Sequence, residues 1–461
     1  MVSRGTFGDA GDSWDSAARR CPRHSCARGL RVLPLSAMDT AWLHMDRSDN
    51  PLVINALLVL EQSADIAAVI DRFVELVVHE YPRFRQVVLT RPGVVSVPVW
   101  KDVEVVLTDH LQHVHLAPAG LKEDLWATVG PLLDAPLSPD QPLWSLTDIR
   151  GLASQQRVLL FRAHHVIGDG MAMAKLLLSL CDEDDVGLPR PRGRAQAPDG
   201  PWVERVTARL DAGVDMVRAA TQLVTMNPET PSPLMGPLDG TKQVAWSEPF
   251  PLSRIQTVRD ALGGTVNDVL VSAVAGALHV TLDDPELADL HALVPVYLHP
   301  LSAPIPKDLG NHFAPIFLRL PSSTPNAVTR LQHVRRRTHS LKKGQMPLVS
   351  AAAVHVIGHA PRSVENVAVD HFAARASLVL TNVPGPRSAV HVAGARIDDI
   401  LFFVPQPASI GVGLSLFSYN GSVRLGVSAD SARDLSPERL ARAFAAELTA
   451  LEAAAKRVGT S

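Results

Sequence analysis

Apolar positions along the chain switch between a helical period and a strand-like alternation, and the switches mark out two folded blocks. In the first block, about Leu35 to Cys181, Asp65–His79 carries Ile66, Val69, Ile70, Phe73, Leu76 and Val77 at helical spacing. Pro51–Leu60 and Arg157–Ala163 are aliphatic and β-branched runs bounded by polar residues, which predicts strands. The second block, about Gln243 to Leu451, opens with helices predicted over Pro251–Ala261 and Asn267–Leu282. The latter is entered through Thr265-Val266-Asn267-Asp268, where Thr, Asn and Asp are N-cap residue types. Strand-like runs follow at Ala314–Leu320, Ser377–Asn382, Ile410–Tyr419 and Ser422–Ser428. Asn420-Gly421 between the last two is a strong hairpin signal. Helices and strands interleave in both blocks, so the expected class is α/β with mixed sheets.

Between the blocks the patterning weakens. Asp182–Ala197 is loaded with Asp, Pro, Arg and Gly, and Asn227–Gly240 returns to Pro, Gly and Thr. Trp202–Thr225 keeps a helical spacing through Val206, Leu210, Val214, Val217 and Leu223. The first thirty or so residues are rich in Arg, Gly, Ser and Asp and lack an apolar run, so they read as a disordered extension rather than a secretory signal. The expected organisation is an extension over 1–32, a first lobe over 33–185, a crossover linker with a helix over 186–242, and a second lobe over 243–455.

Composition narrows the function classes. At 461 residues, 46% hydrophobic and 20% charged, the chain can bury a sizeable core in two units. A formal net charge of −3 supplies no basic field for nucleic acid. Three scattered cysteines, Cys21, Cys26 and Cys181, make no disulfide framework and fit a reducing cytoplasm. No stretch reaches the roughly 20 apolar residues that span a bilayer. Metal at Cys21-Pro-Arg-His-Ser-Cys26 would lack a second ligand pair, so no metal is expected.

The chemistry concentrates where the Arg157–Ala163 strand runs into His164-His165-Val-Ile-Gly-Asp169-Gly170, ahead of a helical run over Met171–Leu180. Adjacent side chains at a strand end point to opposite faces, so His164 and His165 are expected to have different tasks. The same alternation disfavours both ligating one metal. Gly168 and Gly170 are expected to supply φ freedom for the turn. Asp169 is expected near a helix N-terminus, where its charge is favoured. Imidazole, with an ordinary pKa of about 6.5, suits a general base near pH 7. A satisfied core histidine would leave the same trace in an apolar strand, and both readings stand at this stage. There is no Gly-x-Ser-x-Gly elbow, which favours direct attack over a covalent serine step.

The His164-His165-x-x-x-Asp169-Gly170 run resembles the signature of the coenzyme-A-dependent acyltransferase superfamily, of which chloramphenicol acetyltransferase is a member. Further landmarks resemble the wax ester synthase/diacylglycerol acyltransferase family: Leu35-Ser-Ala-Met-Asp39-Thr-Ala-Trp-Leu43, Pro82-Arg-Phe-Arg-Gln86 and Pro142-Leu-Trp144. In the second block they continue with Val266-Asn267-Asp268-Val269, Val294-Pro-Val296, Leu309-Gly-Asn311, Thr381-Asn-Val-Pro-Gly-Pro386 and Ser418-Tyr-Asn-Gly421. The resemblance spans about Leu33 to Leu451 in one order.

What it implies is two chloramphenicol-acetyltransferase-like lobes with the active site in a channel between them. His165 would be the proton acceptor, His164 and Asp169 would hold the site's shape, and Gly170 would be required for the turn. Asn267 and Asp268 would contribute from across the channel, Asn267 by orienting substrate or stabilising an oxyanion; a helix cap is the plainer reading of the same pair. Acyl-CoA would be the donor and co-substrate, with no cofactor besides, and diacylglycerol or a long-chain alcohol the acceptor. Such a protein would be cytoplasmic, with room for peripheral contact with a membrane or lipid droplet. Other readings are a carrier-protein-dependent condensation enzyme of secondary metabolism and a lipid-binding paralogue with little activity.

The chain departs from the family at Met171-Ala-Met173 and at Val294-Pro-Val-Tyr297-Leu-His299, where relatives commonly carry an Arg. The basic run Arg330–Lys343 could face CoA phosphates or anionic lipid, or be a solvated helix face. Leu348–Ile357 could line a lipid-facing groove or be core.

Overall fold

The computed structural model describes residues 32–90, 97–117, 119–182, 229–298, 303–343, 350 and 362–459. The N-terminal extension, the linker helix expected over 202–225, His299 and all of Leu348–Ile357 except Ser350 lie outside the described residues.

In the first block, strands β1 (Val32–Pro34), β2 (Val53–Leu60), β3 (Gln86–Leu89), β4 (Val99–Asp102), β5 (Leu111–His115), β6 (Trp144–Arg150) and β7 (Arg157–His164) alternate with helices. In the second come β8 (Lys242–Trp246), β9 (Phe250–Pro251), β10 (His291–Tyr297), β11 (Phe313–Arg319), β12 (Leu378–Pro384), β13 (His391–Val392), β14 (Ala395–Phe403), β15 (Val412–Tyr419) and β16 (Ser422–Asp430). Two large sheets result, both mixed, as the interleaved pattern predicts. One runs β13-β14-β2-β7-β6-β5 and the other β11-β10-β12-β15-β16-β8, with β9 attached to β16.

The division of the chain is less clean than two contiguous blocks. Strand β14 lies deep in the second block, yet pairs antiparallel with β2 from Ile397↔Leu60 to Phe403↔Asn55. Its own neighbour β15 joins the other sheet instead. Alternating apolar residues predict a strand but carry no information about which sheet it completes.

Where the local signals are strong, the elements follow them. Asn420 and Gly421 sit at φ 46° and 72° and join β15 to β16 through a two-residue loop opposite the Tyr419↔Ser422 pair. Positive φ at both positions is what the strand twist requires there. The helix expected over Asp65–His79 begins as expected, with Asp65 accepting from the N–H groups of Ala67 and Ala68. It is α-helical only over Ile66–Phe73 and widens into a π-turn over Val74–Val78. Val74, Val77 and Val78 crowd χ1 against the preceding turn, which lowers the cost of leaving the α-helical ladder.

Two main cores hold the halves. One packs helices Ile66–Phe73 and Gly170–Leu178 on the first sheet through Phe73, Phe84, Trp144, Phe161, Met173 and Leu176. The other surrounds helix Val266–Leu282 and helix Pro437–Gly459 against the second sheet. A third cluster, with Leu125, Val129, Ile149, Trp246, Leu401 and Phe403, joins helix Lys122–Asp134 to both sheets. Among the described residues no single helix is long and apolar enough to cross a membrane. The pair Leu252–Leu262 and Val266–Leu282 passes that test only jointly, bent by 98°.

Candidate active site

The site is built where β7 ends. His164 is the last residue of that strand, and the two histidines hydrogen-bond to opposite sides. His164 donates its N–H to the Leu143 carbonyl at 2.9 Å, and His165 donates its own to the Leu52 carbonyl at 2.8 Å. The different tasks expected from strand alternation appear in their rings. His164 Nδ1 accepts from the Val166 N–H at 3.1 Å, so its proton sits on Nε2, which lies 3.4 Å from Asp46 Oδ1. This imidazole is fully engaged in holding the turn.

His165 is engaged differently. Its ring stacks on Trp42 with centroids 4.3 Å apart and 18° between planes, and Phe313 lies tilted at 5.6 Å. The residue is 6% exposed, and its Nδ1 is buried without a hydrogen-bond partner. Burial, chiefly, and the neighbouring His164 push its pKa down to about 4, against raising contributions from the Asn311 side chain, its own carbonyl and Asp39. At neutral pH this ring is uncharged. The sign of the pH effect on folding follows. The unfolded chain takes up a proton here near pH 6.5 and the folded chain only near 4, so stability is full above about 6.5 and falls on acidification through that window. His165→Phe should therefore flatten the acid loss measured by urea unfolding at pH 7 and pH 4.5 by up to about 3 kcal/mol.

Asp169 caps helix Gly170–Leu178, with Oδ1 accepting from the Ala172 N–H at 2.8 Å. Its Oδ2 accepts from the His312 N–H at 2.8 Å, on the turn that leads into β11. Burial pushes this carboxyl above its usual range, opposed by the backbone donors of Ala172, His312 and Met171. The two turns are also knitted through their backbones: Gly310 N–H donates to Ile167 O at 3.3 Å, and Asp169 N–H donates to Gly310 O at 3.2 Å.

Beneath them lies a buried polar network that sequence patterns did not reveal. Arg83 donates from Nη1 to the carbonyls of Val166 and Ile167 at 2.8 and 3.2 Å, and from Nη2 to Asp39 Oδ2 at 2.9 Å. Asn311 donates from Nδ2 to Asp39 Oδ1 and to the His165 carbonyl, both at 2.9 Å. Asp39, Arg83 and Asn311 stand in the sequence only as members of landmarks without a task. The available signal was a charged or amide residue inside each of three widely separated landmarks.

Two expectations about glycine need correction. Neither Gly168 nor Gly170 has a positive φ, so neither supplies φ freedom to the turn. Gly168 is needed for space, because a Cβ there would meet Met173 Cε at 3.0 Å and Leu309 Cβ at 3.4 Å. Gly170 begins the helix, and a Cβ on it would have nothing within 4 Å. The turn does not require it. Gly170→Ala should fold with a thermal midpoint equivalent to within about 0.5 kcal/mol of the parent, so any loss of activity would report the open space itself.

Asn267 and Asp268 are not brought into hydrogen-bond contact with His165. Thr265, rather than Asn267, is the N-cap of helix Val266–Leu282, and Asp268 closes a capping box with it. Asp268 Oδ1 also accepts from Thr338 Oγ1 at 2.7 Å. Asn267 Oδ1 accepts instead from Asn382 Nδ2 at 2.9 Å, tying the helix start to the Thr381–Pro386 landmark. The Pro142-Leu-Trp144 landmark has a structural part. Trp144 begins β6, is 1% exposed, and donates from Nε1 to the Phe84 carbonyl at 3.0 Å.

The basic run divides. Arg330 is buried against the Ser272, Thr324 and Pro325 carbonyls and paired with Glu447, and Arg337 pairs with Asp289 at 2.7 Å. Arg335 and Arg336 are exposed and line an open cavity with Thr265 and Asp268. Tyr297, at one of the departures from the family, is half-buried with its hydroxyl pushed up to about 12 by burial. Lys175 Nζ lies 5.0 Å from its ring centroid and donates to the Ala303 carbonyl at 3.0 Å.

Comparison with known proteins gives the family and the fold. The wax ester synthase/diacylglycerol acyltransferase catalytic-domain model matches residues 35–226, and the C-terminal-domain model of the same family matches residues 309–452. A putative diacylglycerol O-acyltransferase of Mycobacterium tuberculosis is 27% identical over 452 residues, covering 88% of this chain and 86% of its own. Among solved structures, the wax ester synthase/diacylglycerol acyltransferase of Marinobacter aquaeolei VT8 superposes with a TM-score of 0.67 at 22% identity, over 92% of this chain and all of that one. The starter condensation domain of rhizomide synthetase, solved with C8-CoA, follows at a TM-score of 0.58 and 14% identity, over 92% of this chain and 95% of that one. The fold is thus that of the condensation domains and their relatives, and the chain belongs to the wax ester synthase/diacylglycerol acyltransferase family of acyltransferases.

Proposed function

We propose that this protein transfers an acyl group from acyl-CoA to a lipid hydroxyl, that of diacylglycerol or a long-chain alcohol, in a channel between the lobes, with His165 as general base. The observation that carries the reading is an almost fully buried imidazole at the end of the strand that leads into the His-His-x-x-x-Asp-Gly turn, faced by aromatic side chains from both halves of the chain. A hydroxyl attacking a thioester must lose its proton as the new C–O bond forms. His165 takes that proton, the C–S bond breaks as the tetrahedral adduct collapses, and the imidazolium returns the proton to the departing CoA thiolate. A thioester is already activated, so no covalent serine or cysteine step is needed. Asp169 and His164 serve by holding the turn, each through the hydrogen bonds described above. Trp42 and Phe313 surround the imidazole with apolar surface that suits an acyl chain or an apolar alcohol.

The test is purified protein given palmitoyl-CoA in parallel with diacylglycerol, monoacylglycerol and hexadecanol, following CoA release and ester product. Acceptor-dependent CoA release with triacylglycerol or wax ester formed is the expected result. Transfer from an acylated carrier protein but not from acyl-CoA would replace the donor. Lipid retained without turnover would leave a binding protein and overturn the catalytic reading.

A further inference from the structure

We infer that the face of β10 and β11 that carries Phe313 holds the acyl chain of the donor, and that the stacked rings of Phe317 and Phe372 end it and set its length. The inference rests on the reading of the donor as acyl-CoA, but its first readout is binding and needs no turnover. Side chains opposite one another in an antiparallel ladder share a face, and every second pair returns to it. The pairs Tyr297↔Phe313, Pro295↔Pro315 and Leu293↔Phe317 therefore form one continuous wall without a charged residue. The alternate pairs Val296↔Ala314 and Val294↔Ile316 lie on the other face, where Ala292 and Leu318 join the core around helix Val266–Leu282. Phe313 is the end of the wall at the imidazole, with its ring 5.6 Å from His165 and 5.3 Å from Trp42.

Leu293, Pro295, Tyr297, Pro315 and Phe317 are only half-buried, although helices cover both ends of the wall. Trp42 of helix Ala37–Met45 covers the Phe313 end. Phe372 of helix Arg362–Ala373 covers the Phe317 end, with ring centroids 6.1 Å apart and 7° between planes. The two helices pack on each other. The far end is shut, because Leu293 and Phe317 pack there against Ala373, Val379 and Ile410. From Phe313 to Phe317 the strand rises about 13 Å. An extended backbone advances about 1.1–1.2 Å per bond, so an extended alkyl chain of about eleven carbon–carbon bonds matches the wall. Charge decides which substrate lies there. At the near end Lys175, itself buried, sets Nζ 5.0 Å from the Tyr297 ring centroid and donates to the Ala303 carbonyl at 3.0 Å. It has no carboxylate in ion-pair contact among the described residues. A buried ammonium without a counter-charge favours the substrate that is anionic beyond its reacting end. Diacylglycerol and long-chain alcohols are neutral, whereas acyl-CoA carries phosphates.

The test is equilibrium binding of octanoyl-, decanoyl-, dodecanoyl-, tetradecanoyl- and palmitoyl-CoA to the full chain without acceptor, read by calorimetry below the micelle concentration of each. Every added methylene should tighten Kd about fourfold while the wall lasts, up to about twelve carbons, and add little beyond. Phe372→Ala and Phe317→Ala alter two different elements, and each should carry the rise on to palmitoyl-CoA, tightening it about tenfold or more. Octanoyl-CoA should bind all three proteins alike. A thermal melt shows which variants keep the fold, and either one that does is sufficient. A parent Kd that tightens at an unbroken rate through palmitoyl-CoA, or ignores chain length, would overturn the inference. So would a limit that a folded variant leaves at the same length. A limit that these variants move for a matched series of primary alcohols, and not for acyl-CoA, would give the wall to the acceptor and overturn it as well. A chain-length limit set by the two rings in a protein without acyl transfer would leave the passage intact and remove the catalytic reading instead.

Discussion

His165→Ala should lower kcat/KM for acyl transfer by about 10²–10⁴-fold, the range that loss of a positioned general base produces. The fold should survive. Removing the ring leaves a gap between Trp42 and Phe313 in a small satellite cluster, while the strand hydrogen bonds at Leu52 and Leu143 come from the backbone and remain. His165→Phe should keep the stacking with Trp42 and lose activity to the same degree, which separates proton transfer from packing. The measurements are CoA release at saturating acceptor and a thermal melt of each variant. Activity within a factor of a few of the parent would place the proton acceptor elsewhere.

Arg83→Leu should cost about 3–5 kcal/mol of stability, the effect of deleting one member of a buried ion pair and leaving its partner's charge behind. The guanidinium side chain is 10% exposed and holds Asp39, which is 1% exposed, together with two carbonyls of the histidine turn. Its loss strands the Asp39 carboxylate with Asn311 as a remaining donor. Arg83→Lys should recover little, because an ammonium cannot span Asp39 and both carbonyls in the geometry of the guanidinium fork. Urea unfolding at pH 7 measures this, and a midpoint equal to the parent's would show that the network bears no weight. Double substitution with Asn311→Ala should cost less than the sum of the singles, since both act on Asp39.

Much of the fold is legible in the sequence because its strongest local signals are physical ones. Asn420-Gly421 dictates a hairpin through positive φ, and the aliphatic run ending at His164 dictates a buried strand. The histidine turn is legible for the same reason: alternation at a strand end by itself separates His164 from His165. What cannot be read is pairing at a distance. Strand β14 completes the sheet of the other half, and nothing in Ala395–Phe403 itself states that. The network of Asp39, Arg83 and Asn311 draws on positions 39, 83 and 311, so it exists only once the tertiary fold brings them together. Gly170 misleads in the opposite direction. A glycine beside a turn suggests φ freedom, yet this one is helical and faces open space, so its role, if catalytic, is to leave room. Asn267-Asp268 illustrates a third case, in which a motif suited to chemistry is spent in part on a capping box.

The most direct test of the central claim is kcat/KM for acyl-CoA and diacylglycerol across pH 4 to 8, measured on the parent and on His165→Phe. A base whose pKa is pushed down to about 4 predicts a rate that stays level from pH 8 to about 5 and then falls. The variant should run 10²–10⁴-fold lower and lack that acid limb. A parent profile breaking near 6.5, or an acid limb that persists at full rate in His165→Phe, would contradict it.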